Sequence, residues 1–109
     1  MQANGMPENP VRLCVLLWAK PGKESALSAY EDQVLELLAD HGGRVLQRDS
    51  VIPDGGDSGH GEQPVEVQFL EFPSEAALDA YMKDSRRLAL AADRDAAIAK
   101  TEVLRVRRR

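Results

Sequence analysis

Five side chains in this sequence pair useful chemistry with a placement that could hold a small molecule: Trp18, Arg48, His60, Gln68 and Arg94. Trp18, Arg48 and Gln68 fall on segments that read as strands, His60 in a glycine-rich loop, and Arg94 in a helical stretch. Trp18 offers a π-face, and Arg48 a planar fork that grips a carboxylate through two parallel hydrogen bonds. Each also has a plainer role: a tryptophan packs a core or an interface, and an arginine decorates an edge strand. The ligand reading is geometric. Trp18 and Arg48 can serve one site only if both point to the sheet face away from the helices, and the ligand would then be small and partly aromatic or carboxylate-bearing.

Other chemistries find less support. His41, His60 and the one cysteine, Cys14, show no metal-ligand spacing such as HxH or HxxxH, so no metal is expected. Cys14 lies inside an apolar strand, where a thiol is core filler and not a nucleophile. There is no GxSxG elbow. Gly55, Gly56, Gly59 and Gly61 form neither a dinucleotide fingerprint nor a phosphate loop, and they read as a connector. Arg105, Arg107, Arg108 and Arg109 have no interleaved aromatics, and the net charge is −4, so neither nucleic acid nor an anionic membrane is an expected partner. Arg86, Arg87 and Arg94 alternate with Asp84, Asp93 and Asp95, which suggests surface ion pairs. No catalytic set and no cofactor emerge.

The elements that must position these residues follow from periodicity. Val11 to Ala19 is a nearly continuous apolar run ending before Pro21-Gly22, which suits a strand buried on both faces. Lys23 to His41 is the first helix: Leu27, Tyr30, Val34, Leu37 and Leu38 form its apolar stripe, Glu24, Ser28, Glu31, Asp32 and Glu36 fall mostly off it, and Gly42-Gly43 stops it. Arg44 to Ile52 is mixed in polarity, as an edge strand would be. Pro53 to Gln63 is loop, and Asp54 to Gln63 should be the most mobile internal segment. Pro64 to Met82 changes period at Pro73, from alternating Val65, Val67 and Phe69 to a helix capped by Ser74. Asp84 can cap a further helix from Ser85, so the second helical region is one bent helix or two short ones. Thr101 to Arg107 is the last strand.

The order is strand, helix, strand, strand, helix, strand. That is the α+β, ferredoxin-like βαββαβ plan: a four-stranded antiparallel sheet with helices on one face. Residues 1–10 are expected to be a flexible arm and residues 11–109 a single domain. The first strand is apolar on both sides but has helices over only one, so a second copy of the chain is the natural cover and a homodimer is expected. No stretch resembles a membrane span or a signal peptide, which makes the cytoplasm the expected compartment.

Several stretches between Val11 and Arg107 resemble a known group. They are Trp18-Ala19-Lys20-Pro21-Gly22, His41-Gly42-Gly43-Arg44, and Phe69-Leu70-Glu71-Phe72-Pro73-Ser74 with Ala76-Ala77. The run from Tyr81 through Asp84, Arg86, Arg87, Arg94 and Asp95 to Thr101-Glu102-Val103 fits too. Together they resemble the dimeric α/β-barrel superfamily, which holds antibiotic-biosynthesis monooxygenases and stress-responsive barrel proteins, and they are most similar to an uncharacterised branch of it. The resemblance implies two sheets packed face to face around a cavity. Members use different cavity residues, so it assigns no catalytic residue, and neither histidine suits the helix-borne axial ligand that heme-degrading relatives need. Two function classes stand: a small-molecule-binding or purely dimerising scaffold, and a cofactor-independent monooxygenase or isomerase acting on a small aromatic or polyketide-like substrate.

Overall fold

Strand β1 (Val11–Ala19) lies inside the sheet, hydrogen-bonded on both edges, as its unbroken apolar run requires. The computed structural model describes residues 9–54 and 60–109. After β1 come α1 (Glu24–Leu35), a 3-10 helix (Glu36–His41), β2 (Arg44–Ser50), β3 (Glu66–Phe72), α2 (Glu75–Met82), α3 (Ser85–Leu88), α4 (Ala91–Ala97) and β4 (Ile98–Arg105). The sheet order is β2-β3-β1-β4 with antiparallel neighbours throughout, which is the ferredoxin-like arrangement.

Strand parity divides the sheet into two faces. Leu13, Val15 and Leu17 of β1 and Leu70 and Phe72 of β3 pack against Leu27, Leu38, Tyr81 and Ala97 from the helical layer. Phe72 is fully buried, and Leu27 and Leu38 are 1% exposed. Burying side chains of this size supplies about 1.5–3 kcal/mol each. The opposite face carries Cys14, Leu16, Phe69 and Leu104, and Leu104 remains 47% exposed.

The first helix does not run regularly to His41 as the spacing predicts. Its last six residues tighten into the 3-10 helix, which closes on Gly42 at φ 74°. Gly42 N–H then donates to the Ala39 carbonyl and Gly43 N–H to the Leu38 carbonyl. Gly43 is needed for a second reason: a Cβ there would meet the Phe72 ring at 3.0 Å.

The second helical region is three helices, where the sequence suggests one bent helix or two short ones. Ser74 caps α2 by accepting a hydrogen bond from Ala77 N–H at 3.1 Å. Asp84 caps α3 by accepting one from Arg86 N–H at 2.8 Å. β4 starts at Ile98, three residues earlier than Thr101, because α4 feeds straight into it and Lys20 N–H donates to the Ala97 carbonyl. β2 ends at Ser50, short of Ile52, which is 82% exposed. Most of the expected N-terminal arm, and residues 55–59 of the Asp54–Gln63 loop, lie outside the described residues. No described helix is long and apolar enough to cross a membrane.

Candidate functional site

The helices do not fill the space above the sheet. α4 is only seven residues, four of them alanine, so the edge strand β4 is thinly covered. Val103, on the helix side of β4, is 52% exposed for this reason. The gap is a cavity of about 440 Å³ between sheet and helices. Its floor is apolar, from Val15, Leu17, Leu70 and Phe72. That volume suits a small organic molecule.

Polar groups converge on one wall. Gln68, 1% exposed, points from β3 toward α1 and uses its amide nitrogen twice. It donates to Glu31 Oε1 at 2.8 Å and to Glu66 Oε2 at 2.7 Å. Arg48 Nε donates to the same Glu66 oxygen at 2.6 Å, and Arg48 Nη1 donates to Asp32 Oδ1 at 2.7 Å. A chain of charge-assisted hydrogen bonds therefore runs from the surface at Asp32 through Arg48, Glu66 and Gln68 to Glu31 on the cavity wall. Burial pushes the Glu31 carboxyl above its ordinary pKa. The Gln68 hydrogen bond opposes that shift, the Glu66 charge adds to it, and Arg48 and Arg87 also pull against it.

Two tyrosines and an arginine complete the wall. Tyr81 O–H donates to the Val34 carbonyl at 3.1 Å, and its ring lies 5.5 Å from that of Phe72. Burial raises the pKa of both Tyr81 and Tyr30. The Arg87 guanidinium carbon sits 5.2 Å from the centre of the Tyr81 ring, a cation–π distance. Arg87 Nε is buried and has no hydrogen-bond partner among the described residues. The sequence suggests surface ion pairs for Arg86, Arg87 and Arg94. Among the described residues only Arg86 and Arg94 pair that way, with Asp84 and Asp40 and with Asp95 respectively. Behind Tyr81, His41 Nε2 lies 2.7 Å from Asp84 Oδ2. Arg86 and His41 together hold the Asp84 carboxyl well below the usual carboxylate range.

Of the five residues singled out from the sequence, Gln68 and Arg94 border the cavity. Arg48 stands two hydrogen bonds behind it, through Glu66 to Gln68, beneath the helices. Trp18 is on the opposite face, where its indole N–H donates to the Glu62 carbonyl at 2.8 Å and Lys100 stacks 4.5 Å from its ring. His60 Nε2 lies 2.7 Å from the Val51 carbonyl and fastens the loop to the end of β2. The shared Trp18–Arg48 site is therefore not formed. The cause is a bulge in β2 between Val45 and Gln47. In unbroken register with Arg44 opposite Glu71, Arg48 would face Val67 and share the side of Trp18; the extra residue sets it opposite Gln68 instead.

Sequence reasoning passed over Glu31, Tyr81 and Arg87 as site residues. Its charge sets Glu31 off the apolar stripe, yet it is 6% exposed. The available signal was its spacing of four from Leu27, which puts both on one helical face. Among the described residues, no three His, Cys, Asp or Glu side chains converge to hold a metal ion.

No protein-family model matches the chain, and none of the curated proteins does. Solved structures do. A Rhodopseudomonas palustris protein of unknown function superposes with a TM-score of 0.72 at 21% identity, over 91% of this chain and 82% of that one. A Bacteroides fragilis protein, described as dimeric, ferredoxin-like and of unknown function, gives 0.64 at 12% identity over 89% and 94%. A Bacteroides thetaiotaomicron protein provisionally named an antibiotic biosynthesis monooxygenase gives 0.64 at 18% identity over 94% and 91%. At these identities the likeness establishes the ferredoxin-like fold.

Proposed function

We propose that the protein is a homodimeric scaffold that binds one small molecule in the cavity of each protomer. The ligand is mostly apolar and bears a single anionic or strongly polarised oxygen. The observation that carries this reading is Arg87: a cation with a buried, unpartnered Nε at the edge of an apolar cavity of about 440 Å³. No carboxylate pairs with this guanidinium among the described residues, and an anionic oxygen on a ligand would supply the missing partner, worth about 1.5–3 kcal/mol for a charged hydrogen bond. The apolar floor takes the remainder of the molecule.

Dimerisation is supported by the far face of the sheet. Leu16, Phe69 and Leu104 stand there beside Cys14 with no helix over them. The Bacteroides fragilis protein of the same fold is described as a dimer. The cytoplasm remains the compartment we infer.

Calorimetry with small aryl carboxylates, cinnamate and phenylpyruvate among them, tests the ligand. Binding to the native protein is expected, weakened by about 1.5–3 kcal/mol in Arg87→Ala, the scale of a charged hydrogen bond. No heat from any of them, or no loss in Arg87→Ala, would overturn the site. Sedimentation of the native protein at micromolar concentration tests the dimer, and a clean 12.0 kDa species would count against it.

A further inference from the structure

We propose that the cavity also performs proton transfer: Glu31 moves a proton between carbon atoms of a small ketone, and Arg87 faces the oxygen that becomes negative. This rests on the reading of the cavity as the ligand site and adds a reaction to it. Among the described residues Glu31 is the one carboxylate that lines the cavity. Its Oε1 is held by Gln68, and no hydrogen bond reaches Oε2 among the described residues. Gln68 is itself fixed by Glu66, and Glu66 by Arg48. A carboxylate with one oxygen fixed and the other open to an apolar space is arranged to accept a proton from carbon.

The electrostatics agree. Burial and the neighbouring Glu66 charge make Glu31 a stronger base than an exposed glutamate, while Arg48, Arg87 and the Gln68 hydrogen bond limit the rise. Tyr30 and Tyr81 also face this space, and both are held in the neutral phenol form by burial. Arg94 and Arg105 stand among the lining residues with Asp95 and Glu75 as their partners. Among the described residues Arg87 is the lining arginine without a carboxylate partner, so its cation is the one left to face an enolate oxygen.

The step balances without a co-reactant. Glu31 takes a proton from a carbon next to the carbonyl. The C–H electron pair becomes the new C=C bond, and the carbonyl π pair moves to oxygen, giving an enolate. Glu31 then returns the proton, to the same carbon or to the far end of a conjugated double bond, and is a carboxylate again. Nothing is oxidised or reduced. The reaction class is isomerisation of an acidic-carbon ketone, so the monooxygenase alternative is not needed to give the cavity a chemistry.

Solvent exchange tests it. Phenylpyruvate and the uncharged ketone 2-tetralone are incubated with the protein in D₂O, with loss of the proton NMR signal next to the carbonyl followed and calorimetry run on the same samples. The native protein is expected to accelerate exchange about a hundredfold or more over buffer, the lower end of general acid–base effects. Glu31→Gln should lose that acceleration while still binding. After subtraction of the buffer rate, the native rate should rise with pH through one ionisation above the ordinary carboxylate range. Binding with exchange at the buffer rate would overturn the proton transfer and leave the binding site standing. Absence of binding by both ketones would overturn both. Equal acceleration by Glu31→Gln, or a flat pH profile of the native protein should that variant fail to fold, would remove Glu31 from the role.

Discussion

The two faces of the sheet are made by the same strands and do opposite things. The helix-facing side mixes a packed apolar floor with five linked polar groups, Asp32, Arg48, Glu66, Gln68 and Glu31, and leaves a cavity between them. The far side is apolar along its middle, with Leu16, Phe69 and Leu104, and polar around that centre, where Gln47 stands opposite Phe69, Glu102 opposite Leu16 and Lys100 opposite Trp18, and Glu71 pairs with Arg12 and Arg44. Helices fix a buried face by covering it, so polar groups there must satisfy one another internally. A face with no helix over it can stay apolar only if something of the same shape meets it. On the function proposed above, the contrast puts chemistry on one side and assembly on the other.

The widest separation is expected between Phe72→Ala and Phe69→Ala. Phe72 is fully buried on the helix side, and its loss should cost about 3–5 kcal/mol of folding stability at any protein concentration. Phe69, on the far side, should instead weaken self-association, with a loss of stability that fades on dilution. Urea denaturation at two protein concentrations distinguishes them, and identical, dilution-independent losses would erase the contrast.

A smaller effect sharpens it within the helix side. Arg48→Met should cost about 1–3 kcal/mol, because it leaves the buried Glu66 carboxylate without its cation. A change within about 0.5 kcal/mol would return Arg48 to ordinary edge decoration.

The smallest effect is a slope. The Glu31 pKa is raised on folding above its ordinary 4.5, so the folded state holds that proton more tightly than the unfolded chain. Its contribution to stability is complete below pH 4.5 and is lost as pH rises through the raised value. Glu31→Gln should flatten that part of the stability-versus-pH curve. An unchanged slope in parallel melts of the two proteins would show that Glu31 titrates normally.

How far the sequence could be read follows from which rules are local. The change of period at Pro73, the Ser74 and Asp84 caps and the Gly42 stop are set by a few neighbouring residues, and each is where the spacing places it. That is enough for the element order and the fold. The face of Arg48 is not local. It depends on one extra residue in β2 near Leu46, and no glycine or other turn signal in Arg44–Ser50 marks it. Glu31 was missed because charge is a poor guide to burial when a partner such as Gln68 waits on another element. Arg87 was missed because its aspartate neighbours in the sequence are not its neighbours in space, where the Tyr81 ring holds it.

The cavity wall is built in short pieces: eight residues in α2, four in α3 and seven in α4, joined by only two residues at each break. Helices this short owe their existence to packing and caps, since isolated helices below about 12 residues are marginal in water. Each break is a place where hydrogen bonds can part without disturbing the sheet. Local fraying around α3 would thus widen a cavity already open beside Val103, on a clock much faster than global unfolding, and the residue that moves with it is Arg87, the same one that would hold the guest.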